Sequence, residues 1–270
     1  MKLKLIFVMT MLLVIASCSR DHEIETPQEI INDKPNEISF IFPTLTPSGS
    51  DYNYNFEYDP LGRISKRIGI YIEWDMQWPE HLSKYGYTKI TYTGNTAVMK
   101  NYNASKPDER KFEFDNQGRA IKLIIPSPTN EAAKEKRITY SYNNSGKLAE
   151  ALTEFPNALY DPTNPNDYVL AYVEKFIYNN KGNLEKAITT EKHNNIEVYI
   201  TKEIEFEFFD LVSNPFRKLG IFEDYFYFSL STNNYNKMTT KFYKLGKLDK
   251  TEPRVWAHSY NSDGTLKLFK

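Results

Sequence analysis

The residues best suited to holding a ligand cluster in one short stretch, YIEWDMQWPEHLSKYGY at 71–87. It carries Trp74 and Trp78, two of the chain's three tryptophans, with Asp75, Gln77, Glu80, His81 and Tyr85 around them. Indole and phenol faces stack on sugar rings or anchor a protein partner, and nearby carboxylate and amide groups supply directed hydrogen bonds. Trp74, Trp78, Asp75, Gln77 and Tyr85 are therefore the candidate ligand-binding residues. The competing reading is a long hairpin end whose tryptophans cap the open end of a β core.

Other chemistry is thinner. Asp161, Asn164, Asn166 and Asp167 in YDPTNPNDY offer oxygen atoms to a cation. Their spacing departs from the EF-hand loop, and the distal glutamate is missing. Proline with Asn and Asp also makes loops for reasons of its own. The histidines at 22, 81, 193 and 258 include no HExxH and no pair at metal-ligand spacing. His193 reads as a turn residue and His258 as a residue at the edge of the core. No metal or cofactor is expected. There is no GxSxG, no glycine-rich phosphate loop and no Cys/His pair. A glycosidase-type acid pair assembled by folding would be invisible at this level. No catalytic residue is named, and the chain is read as a non-enzyme.

The N-terminus speaks to location. Lys2 and Lys4 precede an uncharged apolar run, Leu5–Ala16. It is short of the roughly 20 residues a membrane-spanning helix needs but suits a signal peptide. The run ends in Ile15-Ala16-Ser17-Cys18, which resembles a bacterial lipobox. Residues 1–17 are thus expected to leave, and Cys18, the chain's one cysteine, to carry lipid. Two or more acyl chains hold a protein on a bilayer stably. Residues 18–37, rich in acids and free of aromatics, read as a flexible tether. The acids Asp21, Glu23 and Glu25 partly resemble a surface-export signal, so the outer membrane is expected, with the leaflet undecided. The chain carries 34 bases and 35 acids. Losing Lys2 and Lys4 with the leader leaves about −3, which argues against a nucleic-acid partner.

The elements that would position any site follow from alternation. In DYNYNFEYD, Tyr52, Tyr54, Phe56 and Tyr58 fall on one side and Asn53, Asn55 and Glu57 on the other, a half-buried antiparallel strand. The same period runs through Ile138, Tyr140 and Tyr142, through Ile196, Val198 and Ile200, and through Ile204, Phe206 and Phe208. The best helical stretch is TNEAAKEKR at 129–137, short and polar, with a plain loop as the alternative reading.

One phrase punctuates these strands five times: FEYDPLGRI from Phe56, FEFDNQGRA from Phe112, YSYNNSGKL from Tyr140, FIYNNKGNL from Phe176 and HSYNSDGTL from His258. Asp or Asn three residues before the glycine bonds turn amides, and the glycine supplies the left-handed residue of a bulged hairpin. The aromatic four residues before it is the last inward residue before the chain reverses. Weaker turns stand at Gly94 and Gly246. Each position has a structural task, so the phrase is scaffold rather than site. The spacing, near multiples of about 28 residues, fits two strands and two turns per repeat. Residues 38–270 are therefore expected to form a single all-β domain, an antiparallel meander of repeated hairpins. Its aromatic face must be covered, by a strongly curled sheet or an incomplete barrel.

The phrase resembles the YD repeat of Rhs-type proteins. Together with the lipobox it is similar to putative lipoproteins of Bacteroidota and Flavobacteria that carry such repeats in a domain of unknown function. Asn214-Pro215-Phe216-Arg217-Lys218-Leu219-Gly220 and Ser231-Thr232-Asn233-Asn234 resemble the C-terminal part of that family. The resemblance implies an all-β repeat fold and no established activity. Asp59-Pro60-Leu61-Gly62 matches the letters of the Rhs self-cleavage motif but sits in the first repeat, with ordinary turn chemistry. The expected role is a binding module for glycan or protein at the cell envelope. The alternative is a structural or interaction protein of an envelope complex, or one that protects against a toxin, without a small-molecule ligand.

Overall fold

The computed structural model describes residues 34–40, 42–43, 53–72, 81–104, 108–127 and 135–269. The phrase turns form as their residues dictate. Asp115 Oδ1 accepts the N–H groups of Gln117 and Arg119 at 2.9 Å each. Asn143 Oδ1 accepts those of Ser145 and Lys147 at 3.0 Å each, and Asn179 Oδ1 those of Lys181 and Asn183 at 3.0 Å each. The five phrase glycines sit at φ between +74° and +84°, a region glycine enters at little cost. Register shifts at Glu57/Tyr58, Glu113/Phe114, Ser141/Tyr142 and Ile177/Tyr178 mark a bulge beside four of these turns.

The turns join 14 strands into one sheet whose spatial order equals the chain order. Every neighbouring pair is antiparallel. The strands are β1 (Glu37–Ser39), β2 (Asn53–Tyr58), β3 (Ile64–Ile72), β4 (His81–Thr93), β5 (Thr96–Tyr102), β6 (Glu109–Phe114) and β7 (Ala120–Ile125). They continue as β8 (Lys136–Tyr142), β9 (Leu148–Glu154), β10 (Leu170–Tyr178), β11 (Leu184–His193), β12 (Ile196–Ser213), β13 (Asn233–Lys244) and β14 (Lys247–Val255). A strict meander puts the turns at Gly62, Gly94, Gly118, Gly146 and Gly182 on one rim and the connections after β3, β5, β7 and β9 on the other.

The sheet is strongly curled but open. Laid flat, β1 and β13 would stand roughly 58 Å apart at about 4.8 Å per strand. Yet Phe42, three residues after β1, stacks on His258 at 5.8 Å between ring centroids, and His258 Nε2 lies 3.1 Å from the Tyr235 carbonyl oxygen of β13. The chain after β14 crosses the gap, and Ser39 N–H donates to the Leu268 carbonyl at 2.8 Å. β1 and β14 do not pair. β14 presents a charged sequence with a proline, KLDKTEPRV, a composition that blunts an open edge against pairing with another strand.

Curling alone does not fill the concave face. Residues 214–232, between β12 and β13, enter at the rim of the phrase turns and run through the interior as a plug. Phe216, Leu219, Phe222 and Tyr225 are all buried. Each is tied to the previous one by an N–H bond to its carbonyl three residues back, at 2.8, 2.9 and 3.1 Å. These are successive tight turns with a three-residue spacing, broken by extended backbone at Phe222, and all four side chains enter one apolar cluster. The one α-helix among the described residues follows as α1 (Phe226–Ser229). Arg67 of β3 reaches Asp224 at 2.8 Å, Arg110 of β6 reaches Glu223 at 2.6 Å, and Tyr227 donates to Glu174 of β10 at 2.7 Å. Two apolar clusters result, one around Phe56, Phe112 and Phe216 and one around Phe176, Leu184 and Tyr235. Ile138, Tyr140 and Phe228 pack against both and make the core continuous.

Two local expectations are corrected. Lys136 and Arg137, the end of the helical stretch, begin β8; residues 129–134 lie outside the described ones. In β12 the alternation does not keep its faces. Ile204 and Phe206 are buried, but Ile196 is 70% exposed and Phe208 63%. The pairing with β11 slips twice, between Thr189 and Thr190 with Thr201 as the extra residue and between Glu191 and Lys192 with Val198 as the extra residue. Each one-residue slip reverses the faces, so no single alternation runs the length of the strand. Phe208 has φ +58°, which turns its side chain out of the alternation.

Candidate functional site

Of the sequence-predicted residues, Trp74, Asp75, Gln77, Trp78 and Cys18 lie outside the described residues. Tyr85 stands in β4, 87% exposed, near the strand end away from the phrase turns. The Asn/Asp stretch at 160–168 spends its side-chain oxygens on turns. Asp161 Oδ1 accepts from Thr163 N–H at 2.9 Å, Asn164 Oδ1 from Asn166 N–H at 3.0 Å, and Asp167 Oδ2 from Asp161 N–H at 2.8 Å. His193 ends β11 beside a turn and stacks on Tyr168 at 3.4 Å. His258 is half-buried at the core edge, as expected of it.

The structure instead brings the phrases together. A cavity of about 760 Å³ opens at the rim of the phrase turns, between the curled sheet and the start of the plug. Arg63, Arg119 and Lys147, each directly after a phrase glycine, line it; the plug adds Arg217 and Lys218. Against these five bases stands one carboxylate on the wall, Asp115. Tyr92, Tyr142 and Tyr178 belong to its aromatic lining together with Phe112, Phe114, Tyr140 and Phe226; the Ser229 and Thr232 hydroxyls on its wall donate to the Phe226 and Gly182 carbonyls.

The lining is built by one repeated device. Arg63 lies over the Tyr92 ring at 3.9 Å, Arg119 over Tyr142 at 4.4 Å and Lys147 over Tyr178 at 4.9 Å. In the first two repeats the aspartate of the turn holds the arginine: Arg63 reaches Asp59 Oδ2 at 2.7 Å and Arg119 reaches Asp115 Oδ2 at 2.7 Å. Burial works to raise the pKa of each aspartate, but the arginine N–H and guanidinium bonds outweigh it and hold both below the usual value. Tyr92 and Tyr142 are each pushed up to about 12 by burial, with Arg63 and Arg119 opposing. Both are therefore neutral hydroxyls near pH 7.

The third repeat breaks the pattern. Its turn residue is Asn143, so Lys147 has no carboxylate, and its ammonium donates to the Gly182 carbonyl at 2.7 Å. Gly182 leaves it that room, since a Cβ there would stand 2.7 Å from Lys147 Nζ and 2.8 Å from Thr232 Oγ1. Burial and the nearby Arg217 both hold the Lys147 pKa below its usual value. The Tyr178 hydroxyl is buried without a hydrogen-bond partner among the described residues. Its counterparts Tyr92 and Tyr142 donate to the carbonyls of Ile64 at 3.1 Å and Ala120 at 2.7 Å.

No family model and no curated protein matches the chain. Among solved structures it is similar to a porin-like protein from Bacteroides uniformis, at 12% identity over 82% of this chain and 84% of that one, with a TM-score of 0.48. A porin-like protein from Bacteroides vulgatus gives 12% identity over 86% and 89% of the two chains and a TM-score of 0.47. These values add nothing to what the strand order already shows.

Sequence reasoning missed the cavity although its bases were visible as the residue after the glycine in three phrases. Read one phrase at a time, each base looks like a solvated turn residue. The arrangement is suited to binding: aromatic faces, hydroxyl groups and excess positive charge in a concave site of ordinary ligand size. The wall carboxylate of Asp115 is committed to Arg119.

Proposed function

We propose that this chain is a lipid-anchored binding module of the cell envelope that takes a glycan or a protein segment into the cavity at the rim of its phrase turns. The observation that carries this reading is the cavity itself, about 760 Å³ and lined by Tyr92, Tyr142, Tyr178 and five bases. The lipobox at Cys18, the tether at 18–37 and the resemblance to YD-repeat lipoproteins support the envelope setting. Under this reading the outer membrane is the anchoring surface. The stretch around Trp74 and Trp78 is a second contact region at most.

The test uses the full-length protein purified in detergent and affinity electrophoresis in gels containing host, plant and microbial polysaccharides. Asn116→Trp, a substitution of an exposed turn residue lining the cavity, places an indole at its mouth. Retardation lost in Asn116→Trp and kept in Trp74→Ala/Trp78→Ala upholds the cavity. The opposite pattern moves the site to 71–87. No retardation in any gel turns the reading to the interaction protein without a small ligand. Metabolic labelling with an alkynyl fatty acid, abolished by Cys18→Ala, tests the anchor separately.

A further inference from the structure

The third phrase keeps a base after its glycine but lacks the turn aspartate, and it lines the cavity to which the plug adds charge. In the first two repeats each base on the cavity wall is neutralised within its own turn, Arg63 by Asp59 and Arg119 by Asp115. In the third, asparagine replaces aspartate with the turn geometry preserved, as Asn143 Oδ1 accepts the same two backbone N–H bonds that Asp115 Oδ1 does. Lys147 is left with a carbonyl and the Tyr178 ring as its partners. An ammonium has three N–H donors, so two have no protein acceptor among the described residues. Arg217, from a segment 70 residues away in the chain, lines the same cavity. It forms no ion pair among the described residues, and it is close enough to disfavour the charge on Lys147. Arg217 is exposed at the rim and Lys147 half-buried, so solvent screens part of their repulsion, and an anionic ligand reaching both would relieve the rest. Beside them stands Tyr178, one ring face under Lys147 and its hydroxyl buried without a partner among the described residues, and Thr232, whose hydroxyl donates to the Gly182 carbonyl at 3.2 Å and keeps its oxygen as an acceptor.

Resting on the binding-module reading above, we propose that the cavity selects an acidic saccharide, whose carboxylate or sulfate takes Lys147 and Arg217 as its charge partners and whose ring lies against the tyrosine lining. The stacked ring makes it a saccharide rather than a free anion: inorganic phosphate would satisfy the bases and leave the aromatic wall bare. The missing aspartate is then the device for selectivity, because an ion pair at Asn143 would remove the charge the ligand needs.

Three probes decide it, each with full-length protein in detergent: polygalacturonate (carboxylate), dextran sulfate (sulfate) and unmodified dextran (neutral). The expected result is binding to an acidic polymer and not to dextran, weakened at least tenfold in Arg217→Met, in Lys147→Met and in Asn143→Asp. Asn143→Asp keeps the turn and supplies the carboxylate found in the first two repeats, so it remains informative should Lys147→Met fold poorly. Binding to polygalacturonate alone assigns a uronic acid, and binding to dextran sulfate alone a sulfated sugar. Equal binding to dextran overturns the inference and leaves the binding module standing. Acidic binding unchanged in Asn143→Asp and Arg217→Met but lost in Asn116→Trp does the same. No retention on any of the three overturns the inference and leaves a protein segment as the occupant for the binding-module reading.

Discussion

The guanidinium of Arg119 lies 4.4 Å over the ring of Tyr142, and the Tyr142 hydroxyl donates back to the carbonyl of Ala120, the next residue, at 2.7 Å. Arg63, Tyr92 and Ile64 repeat the arrangement with 3.9 and 3.1 Å. One hairpin therefore presents a cation and a carbonyl, and a later strand inserts a tyrosine between them. Each of the three copies with a base after its glycine is half of a joint whose other half is elsewhere on the rim; in the last two copies Asn183 and Thr265 take that place. Joints of this kind need the base, the tyrosine and the turn that aims them, which is why their residue types return together.

Tyr142→Phe and Tyr178→Phe make a matched pair. The first removes a made hydrogen bond and is expected to cost about 1 kcal/mol. The second removes a buried hydroxyl without a partner among the described residues and is expected to be neutral or slightly stabilising. Urea denaturation of both variants measures this; equal losses would show that the Tyr178 hydroxyl has a partner in solution.

Asp115→Asn should reveal itself through pH. The folded-state pKa of Asp115 lies below its ordinary value of 3.8. Its stabilisation is thus present above that value and lost as pH falls through the lower, folded one. Urea midpoints at pH 7 are expected to fall in the variant, and the gap from the natural protein to shrink at pH 3. A gap that stays constant would assign the effect to the turn geometry instead.

Phe216→Ala tests the plug. Phe216 is fully buried and meets Phe42, Tyr225 and Phe228 at centroid distances of 4.9, 5.5 and 5.1 Å. Truncation is expected to cost about 3–5 kcal/mol. Because Phe228 joins both apolar clusters, calorimetry should show one transition moved down. Two separated transitions would mean that the two halves of the sheet fold independently of the plug.

Phe208→Asn is expected to stabilise. Phe208 holds φ +58° while 63% exposed, a conformation costing a residue with a Cβ roughly 1–2 kcal/mol and one that asparagine tolerates better. The phenyl ring contributes little beyond the Lys237 ammonium 5.3 Å away. A gain of about 0.5–1 kcal/mol in urea unfolding would agree; a loss would show that the exposed ring is held by contacts of its own.

What the sequence determined by itself was local. Asp59, Asp115, Asn143, Asn179 and Asn261 each announce a turn because their partners lie within four residues: the amides two and four residues on for Asp115, Asn143 and Asn179, the Arg63 amide for Asp59 and the Thr265 hydroxyl for Asn261. Alternation in 53–58 places Tyr54 and Phe56 inward for the same short-range reason. From these the all-β meander and the curl of its aromatic face followed. The plug was not legible, although Phe216, Leu219, Phe222 and Tyr225 stand at an even spacing of three, because that spacing gains meaning only when a concave sheet is there to receive it. Nor was the cavity. The replacement of aspartate by Asn143 can be read in the chain, but it leaves Lys147 beside Arg217 only after β12 has carried the plug back to the rim. Turn chemistry is settled within a few bonds of backbone; burial and charge pairing depend on partners that only the folded chain brings within reach.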